Sequence, residues 1–172
     1  NLAVNLINGF SSAVTLPGDI KIANKNGNLQ VENKINKNNS KWEYPLKKLN
    51  FLTEIDTNII IKVITFSEYQ KLKSESGQNV TGAFDFDKLP QKSVIRNRKP
   101  GDKFTLPFRN ITKSIKKLFS ELKIPENLRN RIPLIACENE IVWIDNIGVS
   151  KNYIPSKDTE KIAIIYKEPI SI

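Results

Sequence analysis

Histidine and methionine are both absent from the 172 residues, and cysteine occurs once, at Cys137. Without histidine the chain lacks the usual general base near neutral pH and the commonest metal ligand. A Ser-His-Asp triad is excluded, and with a single cysteine a structural zinc site has no ligand set. One cysteine also rules out an internal disulfide and fits a reducing compartment, so a cytoplasmic location is expected. No apolar run approaches the roughly 18–20 residues of a membrane span, and no N-terminal segment has the layout of a signal peptide. The seven glycines form neither GxGxxG nor GxxxxGK[ST], which removes the dinucleotide loop and the P-loop. With no methionine at position 1 either, the expectation is a fragment of a longer protein.

What is present is positive charge in one place. The chain has 27 basic and 18 acidic residues, a net charge of +9. Residues 91–131 hold twelve of the basic residues and three of the acids, hence the whole excess. All five arginines lie between positions 96 and 131, against 22 lysines spread along the chain. A neutral protein with one basic segment has the electrostatic footprint of an anion binder. Arginine kept only there fits phosphate, which its planar fork binds bidentately.

The apolar patterning points to a sheet-dominated α+β domain. Residues 1–9 read as the tail of a helix capped at Gly9, and residues 1–10 as the end of a preceding helical region. Residues 20–31 alternate around Asn26-Gly27 and predict a hairpin. Residues 33–41 are polar and read as a loop. "WEYPL" predicts a short edge strand, because Pro45 excludes a central one. "NIIIKVI" (58–64) predicts a buried strand, and residues 67–79 a helical turn giving way to a polar loop. "VTGAFDFDKLP" reads as a strand, with "KSVIRNR" extended up to the Pro100-Gly101 turn. Residues 112–123 predict the main helix, with Thr112 as N-cap and Ile115, Leu118, Phe119 and Leu122 as its apolar stripe. A short helix near Pro125, a hairpin of "LIAC" and "EIVWI" through Glu138-Asn139, and a last buried strand "KIAIIY" complete the chain. Residues 11–172 are read as one domain in which 37–79 remain unplaced.

Few residues offer catalytic chemistry. Asp85 and Asp87, two apart on a predicted strand, share a face but read as a solvated strand edge rather than an acid–base pair. Cys137 reads as an inert core residue, and Trp143 as core. Trp42 and Tyr44 stay open between core and stacking platform. In the basic segment, Arg96 and Arg98 are two apart on an extended stretch and predict a common direction. Lys99 and Lys103 flank the turn. Lys113, Lys116 and Lys117 share a helix face, and Lys123, Arg129 and Arg131 bracket the next turn. These ten are the candidate phosphate contacts. Gly101 permits the turn, and Asp102 reads as a brace that caps it or orients Arg96 or Arg98. Cations on turns and a helix end suit phosphate tracking on folded RNA more than base reading in a major groove.

"VIRNRKPGDKF", "TKSIKKLF", "KIPENLRNRIPLI" and "EIVWI", in that order, resemble the C-terminal domain of bacterial tRNA(Ile)-lysidine synthetase. "LPGDIKIANKNGNLQVEN" resembles that family's entry to the same domain. The loop of residues 106–111, "LPFRNI", departs from the family by having no glycine and carrying Arg109. The resemblance implies a layered β-sandwich with one main helix, like a module of phenylalanyl-tRNA synthetase. It implies a parent ligase that uses ATP with Mg to join lysine to the anticodon cytidine of a minor tRNA(Ile). The catalytic S-G-G-x-D-S loop of such a parent is absent here, so no catalytic residue or cofactor is assigned to this chain. Its implied partners are tRNA(Ile), held near the acceptor stem, and its own N-terminal catalytic domain. A homodimer, a stand-alone RNA-binding module and a domain-docking module stay open.

Overall fold

The computed structural model describes residues 13–16, 20–25, 28–33, 41–74 and 80–170. The helix tail expected over 1–9, the Asn26-Gly27 turn and the polar stretch 34–40 lie outside the described residues. The chain divides into two units, residues 1–40 and 41–172. In the first, β1 (Ala13–Leu16), β2 (Ile20–Lys25) and β3 (Asn28–Asn33) form an antiparallel sheet in sequence order. The pairing of Ile22 with Val31 and of Lys25 with Asn28 is the hairpin expected from the alternation on either side of the turn.

The second unit holds two further sheets. β5 (Leu49–Leu52), β6 (Thr57–Thr65), β14 (Lys161–Pro169) and β7 (Val80–Asp85) form one of them, in that order. The other has seven strands in the order β10-β9-β12-β11-β8-β4 with β13 paired to β12. Its strands are β4 (Glu43–Pro45), β8 (Val94–Arg96), β9 (Lys103–Thr105), β10 (Thr112–Ser114), β11 (Leu134–Cys137), β12 (Glu140–Ile144) and β13 (Gly148–Val149). β4, which contains Pro45, is an edge strand, as a residue without an N–H donor requires. The helices are α1 (Phe66–Ser74), α2 (Ile115–Glu121) and α3 (Glu126–Arg129).

Both faces of the seven-stranded sheet are covered. Ile95, Ile135, Val142 and Trp143 pack with Leu52, Ile59, Phe84, Ala163 and Ile165 of the four-stranded sheet. Phe104, Leu134, Ala136, Ile141 and Ile144 pack with Ile115, Leu118 and Phe119 of α2. β11 therefore sends Leu134 and Ala136 one way and Ile135 the other, and reads as continuously apolar "LIAC". β12 breaks strict alternation. Its register shifts opposite Ile135/Ala136, so Val142 and Trp143 both face the sheet–sheet core. Trp42 also belongs to that core, at 5% exposure, which settles its role as packing. Tyr44 is exposed, and its hydroxyl donates to Glu54 Oε1.

Two helices depart from the expectation. Residues 112–114 are strand, not helix. Thr112 Oγ1 pairs with Thr105 Oγ1 across β9–β10, and Ser114 is the cap, its Oγ accepting from the Lys117 N–H at 3.3 Å. Residues 66–74 form a full helix where only a first turn was expected. Its start is a capping box, with Glu68 Oε2 accepting from the Thr65 N–H at 2.8 Å and Thr65 Oγ1 from the Glu68 N–H at 3.3 Å. α1 buries no residue fully, so its sequence shows little apolar stripe.

Gly82 on β7 leaves room for the indole of Trp143. A Cβ there would lie 2.5 Å from Nε1, which donates to the Thr81 carbonyl at 3.2 Å. Gly82→Ala is expected to destabilise the chain by about 1–3 kcal/mol through overpacking, read as a lower urea midpoint with an unchanged m-value.

Candidate nucleic-acid interface

The turn at residues 99–102 begins with local rules. Pro100 at its second position and Gly101 at its third, with φ +90°, fit a type II turn, closed by the Asp102 N–H to the Lys99 carbonyl at 3.4 Å. Asp102 Oδ2 accepts from the Lys99 N–H at 2.7 Å, so its side chain caps the corner. Both oxygens of the same carboxylate take the Arg96 guanidinium, each at 2.8 Å. Arg96 Nη1 also donates to the Asn97 carbonyl at 2.9 Å and Nη2 to the Glu138 carbonyl at 2.7 Å, while Nε lies 3.5 Å from Glu43 Oε2. Every donor of the fork is engaged.

Arg96 is thus a correction. Its residue is 1% exposed, so it is a brace and not a phosphate contact. β8 ends at Arg96, so the two-residue period that was expected to aim Arg96 and Arg98 together stops there. Arg98 is half-buried on the following segment and donates through Nε to Asn130 Oδ1 at 2.8 Å. Its two terminal nitrogens have no partner among the described residues.

The other candidates divide by what already neutralises them. Lys99 pairs with Glu43. Lys113, on β10 and not on the helix, pairs with Glu121. That ammonium is the main cause that holds the Glu121 carboxyl below the usual carboxylate range, with Lys117 and Arg109 adding to the effect. Lys116 and Lys117 are exposed on α2, away from its buried Ile115, Leu118 and Phe119, and neither makes an ion pair among the described residues, although Lys117 acts on Glu121 at longer range. Lys103 is exposed on β9, and alternation against buried Phe104 puts it on the sheet face opposite α2. The ten candidates therefore do not share one face.

Lys116, Lys117, Lys123, Arg129, Arg131 and Arg98 do follow one path. Lys123 ends α2 with φ +54°, its N–H bonded to the Ser120 carbonyl and that of Ile124 to the Phe119 carbonyl. This is a Schellman closure with lysine where glycine is usual. Arg129 Nε donates back to the Ile124 carbonyl at 2.9 Å. Asn130, between Arg129 and half-buried Arg131, takes Arg98. Between α2 and the 97–99 segment, the side chains of Arg129 and Arg98 are placed by bonds to the Ile124 carbonyl and to Asn130. Arg109, exposed in the β9–β10 loop, was noted in the sequence but not counted as a contact. Its signal in the sequence was the absence of any acid from residues 103–120.

The Asp85–Asp87 pair is structural. Asp85 is buried, with Oδ2 accepting from Thr159 Oγ1 at 2.7 Å and lying 3.0 Å from Lys88 Nζ. Asp87 Oδ2 accepts from the Lys161 N–H at 3.0 Å. Both carboxylates tie the end of β7 to the chain entering β14; Asp87 is exposed, as a solvated edge predicts, and Asp85 departs from that reading by being buried. Among the described residues, no three His, Cys, Asp or Glu side chains gather as a metal site. No described helix is long and apolar enough to cross a membrane.

Sheets braced around a charged turn, with exposed cations on the elements that follow it, make up the second unit. Residues 94–166 match the family model of the TilS substrate C-terminal domain. The tRNA(Ile)-lysidine synthase of Clostridium tetani (strain Massachusetts / E88) is 34% identical over 153 residues, covering 87% of this chain and 32% of that protein. The enzyme of the same name from Caldanaerobacter subterraneus subsp. tengcongensis is 30% identical, covering 90% of this chain and 33% of its own length. The chain thus spans about a third of the length of these curated relatives. A solved structure described as the crystal structure of the TILS C-terminal domain superposes with a TM-score of 0.62. It shares 19% sequence identity and covers 77% of this chain and all of that one. The layered, sheet-rich α+β fold is the fold of that domain.

Two predictions rest on this geometry. Arg96→Lys or Asp102→Asn is expected to destabilise by about 3–5 kcal/mol, because each leaves its partner buried without its match. The double change Arg96→Met with Asp102→Leu should cost less than the two single changes together. Urea unfolding of the four proteins measures both. Burial pushes the Asp85 carboxyl up, but the Thr159 hydroxyl and the Lys88 ammonium outweigh it, and the net shift is downward. A depressed carboxylate lends stability above its ordinary value near 3.8, and that stability is lost as pH falls through the lower folded value. Asp85→Asn should flatten this acid limb of stability against pH.

Proposed function

We propose that this chain is the tRNA-gripping C-terminal part of a tRNA(Ile)-lysidine synthase. In this reading it holds tRNA(Ile) by its backbone, near the acceptor stem, and presents the anticodon loop to an N-terminal catalytic domain in the cytoplasm. The parent would use ATP with Mg to join lysine to the anticodon cytidine. Those groups are not placed on this chain, whose described residues offer no ligand cluster for Mg and whose sequence has no phosphate loop. No catalytic step is therefore derived from it.

The observation that carries the proposal is the line of cations from Lys116 to Arg98. Like charges placed side by side on fixed elements repel unless a polyanion is bound. Two of them, Arg129 and Arg98, are held by a backbone carbonyl and a side-chain amide, which orient the charges without cancelling them. Contacts of this kind fix register and orientation on a nucleic acid and carry no sequence code. Shape and spacing would then select the tRNA.

The test is the salt dependence of binding to a tRNA(Ile) transcript. Each phosphate contact contributes a log–log slope approaching about −0.9 on duplex DNA and about −0.7 on single strands. Lys116→Ala with Lys117→Ala should flatten the slope by about one to two units, and Arg98→Ala with Arg131→Ala likewise. Equal affinity for an unrelated tRNA would reduce the reading to general RNA binding. Binding to a catalytic half with none to tRNA at low salt would replace it with domain docking.

A further inference from the structure

β9 and β10 are joined by residues 106–111, and Phe108 at the tip of this loop is 98% exposed. Singly exposed apolar residues are ordinary, but a phenylalanine with almost its whole surface in water gives no packing to the fold. The loop that presents it is nonetheless built. The Leu106 N–H bonds to the Ile111 carbonyl at 2.9 Å, closing the hairpin below the tip. Asn110 takes the left-handed conformation, with φ +49°, and its Oδ1 accepts from Lys151 Nζ at 2.9 Å. Thr105 and Thr112 join their hydroxyls at the base. The ring is held out by a braced hairpin.

Its surroundings say what chemistry would meet it. Arg109, the next residue, is exposed and makes no ion pair among the described residues. Glu121, the acid whose carboxyl it helps to hold down, is already bound by Lys113. An exposed aromatic ring beside an unneutralised guanidinium is the pairing that stacks a base and holds its phosphate. A wholly apolar partner would leave the guanidinium desolvated and unmatched.

We propose that Phe108 is a stacking contact for an unpaired base of the bound RNA, with Arg109 on the adjoining phosphate. The inference rests on the tRNA-binding reading above and names a contact that the line from Lys116 to Arg98 does not include. An unpaired or terminal base is required, because a base within a helix keeps its faces covered by its neighbours.

The experiment uses the 172-residue chain and a tRNA(Ile) transcript. Phe108→Trp places an exposed indole at the tip, distinct in emission from Trp42 and Trp143, which are buried. Stacking predicts quenching of that emission on binding, with affinity kept. Phe108→Ala should weaken binding by about five- to a hundredfold. Its salt slope should stay unchanged, since an uncharged ring releases no counterion, whereas Arg109→Ala should flatten the slope by up to about one unit. Wild-type affinity for Phe108→Ala, or unquenched emission from a bound Phe108→Trp chain, would overturn the stacking contact and leave the tRNA reading standing. Failure of the unaltered chain to bind the transcript at low salt would overturn both. Because Phe108 packs on nothing, neither variant is expected to alter the unfolding midpoint, and a lowered midpoint would show the ring to be structural.

Discussion

The Arg96–Asp102 pair is the joint on which the second unit turns. Burying two charges costs several kcal/mol each, and Coulomb attraction offsets that only when the remaining donors and acceptors are also satisfied. Here they are. The fork meets both carboxylate oxygens and two carbonyls, and the carboxylate takes a backbone N–H as well. Four segments are thereby fixed together: the end of β8, the Pro-Gly corner, the start of β9 and the turn between β11 and β12. The Asp102 carbonyl adds a fifth by accepting from the Ile115 N–H at 3.0 Å, where α2 begins. Asp102 thus ties the start of the basic helix to the braced corner through its backbone, while its carboxylate holds the corner itself.

This joint also separates charges that make structure from charges that remain for a ligand. Three acids, Asp102, Glu43 and Glu121, account for Arg96, Lys99 and Lys113. Arg98 and Arg129 are anchored through Nε alone, which steers the fork while leaving its outer edge open. A guanidinium held in this way loses less freedom when it meets a phosphate than one on an unrestrained stem. Lys123 sits in a left-handed position where glycine would be easier, so its place at the end of α2 carries a backbone strain of order 1 kcal/mol. A lysine in that position is consistent with a charge wanted at that point in space.

Most of the sheet was legible because its residues obey simple periods. "NIIIKVI" and "KIAIIY" are β6 and β14, paired from Thr57–Pro169 to Thr65–Lys161, and Asp102 stands where the Pro-Gly turn predicts a brace. The failures have local causes. The helical period of residues 112–122 does not show that its first three positions pair with β9, since strand pairing is decided by a partner outside the segment. α1 was hidden by its polarity, although Thr65 and Glu68 spell out its capping box. Arg96 was misread because burial is not a property of an arginine in sequence. The motif marks a charged corner but not which of its cations turns inward.

The middle sheet explains where a ligand would find room. β11 and β12 are covered on both faces, by the four-stranded sheet on one side and α2 on the other, and most of their side chains are spent on the two cores. Cover thins toward β9 and β10. Phe104 still reaches the α2 core, but Lys103 and Thr105 on the other face join neither cluster. Polar and charged residues are tolerated along that margin because little apolar surface remains there to be buried. The same margin carries the braced loop at residues 106–111 and adjoins the outer side of α2. A domain that buries both faces of its central strands leaves Lys103 and Arg109 free along that edge, while the cations of α2 and the turn after it lead toward Arg98 and the β8 side of the sheet.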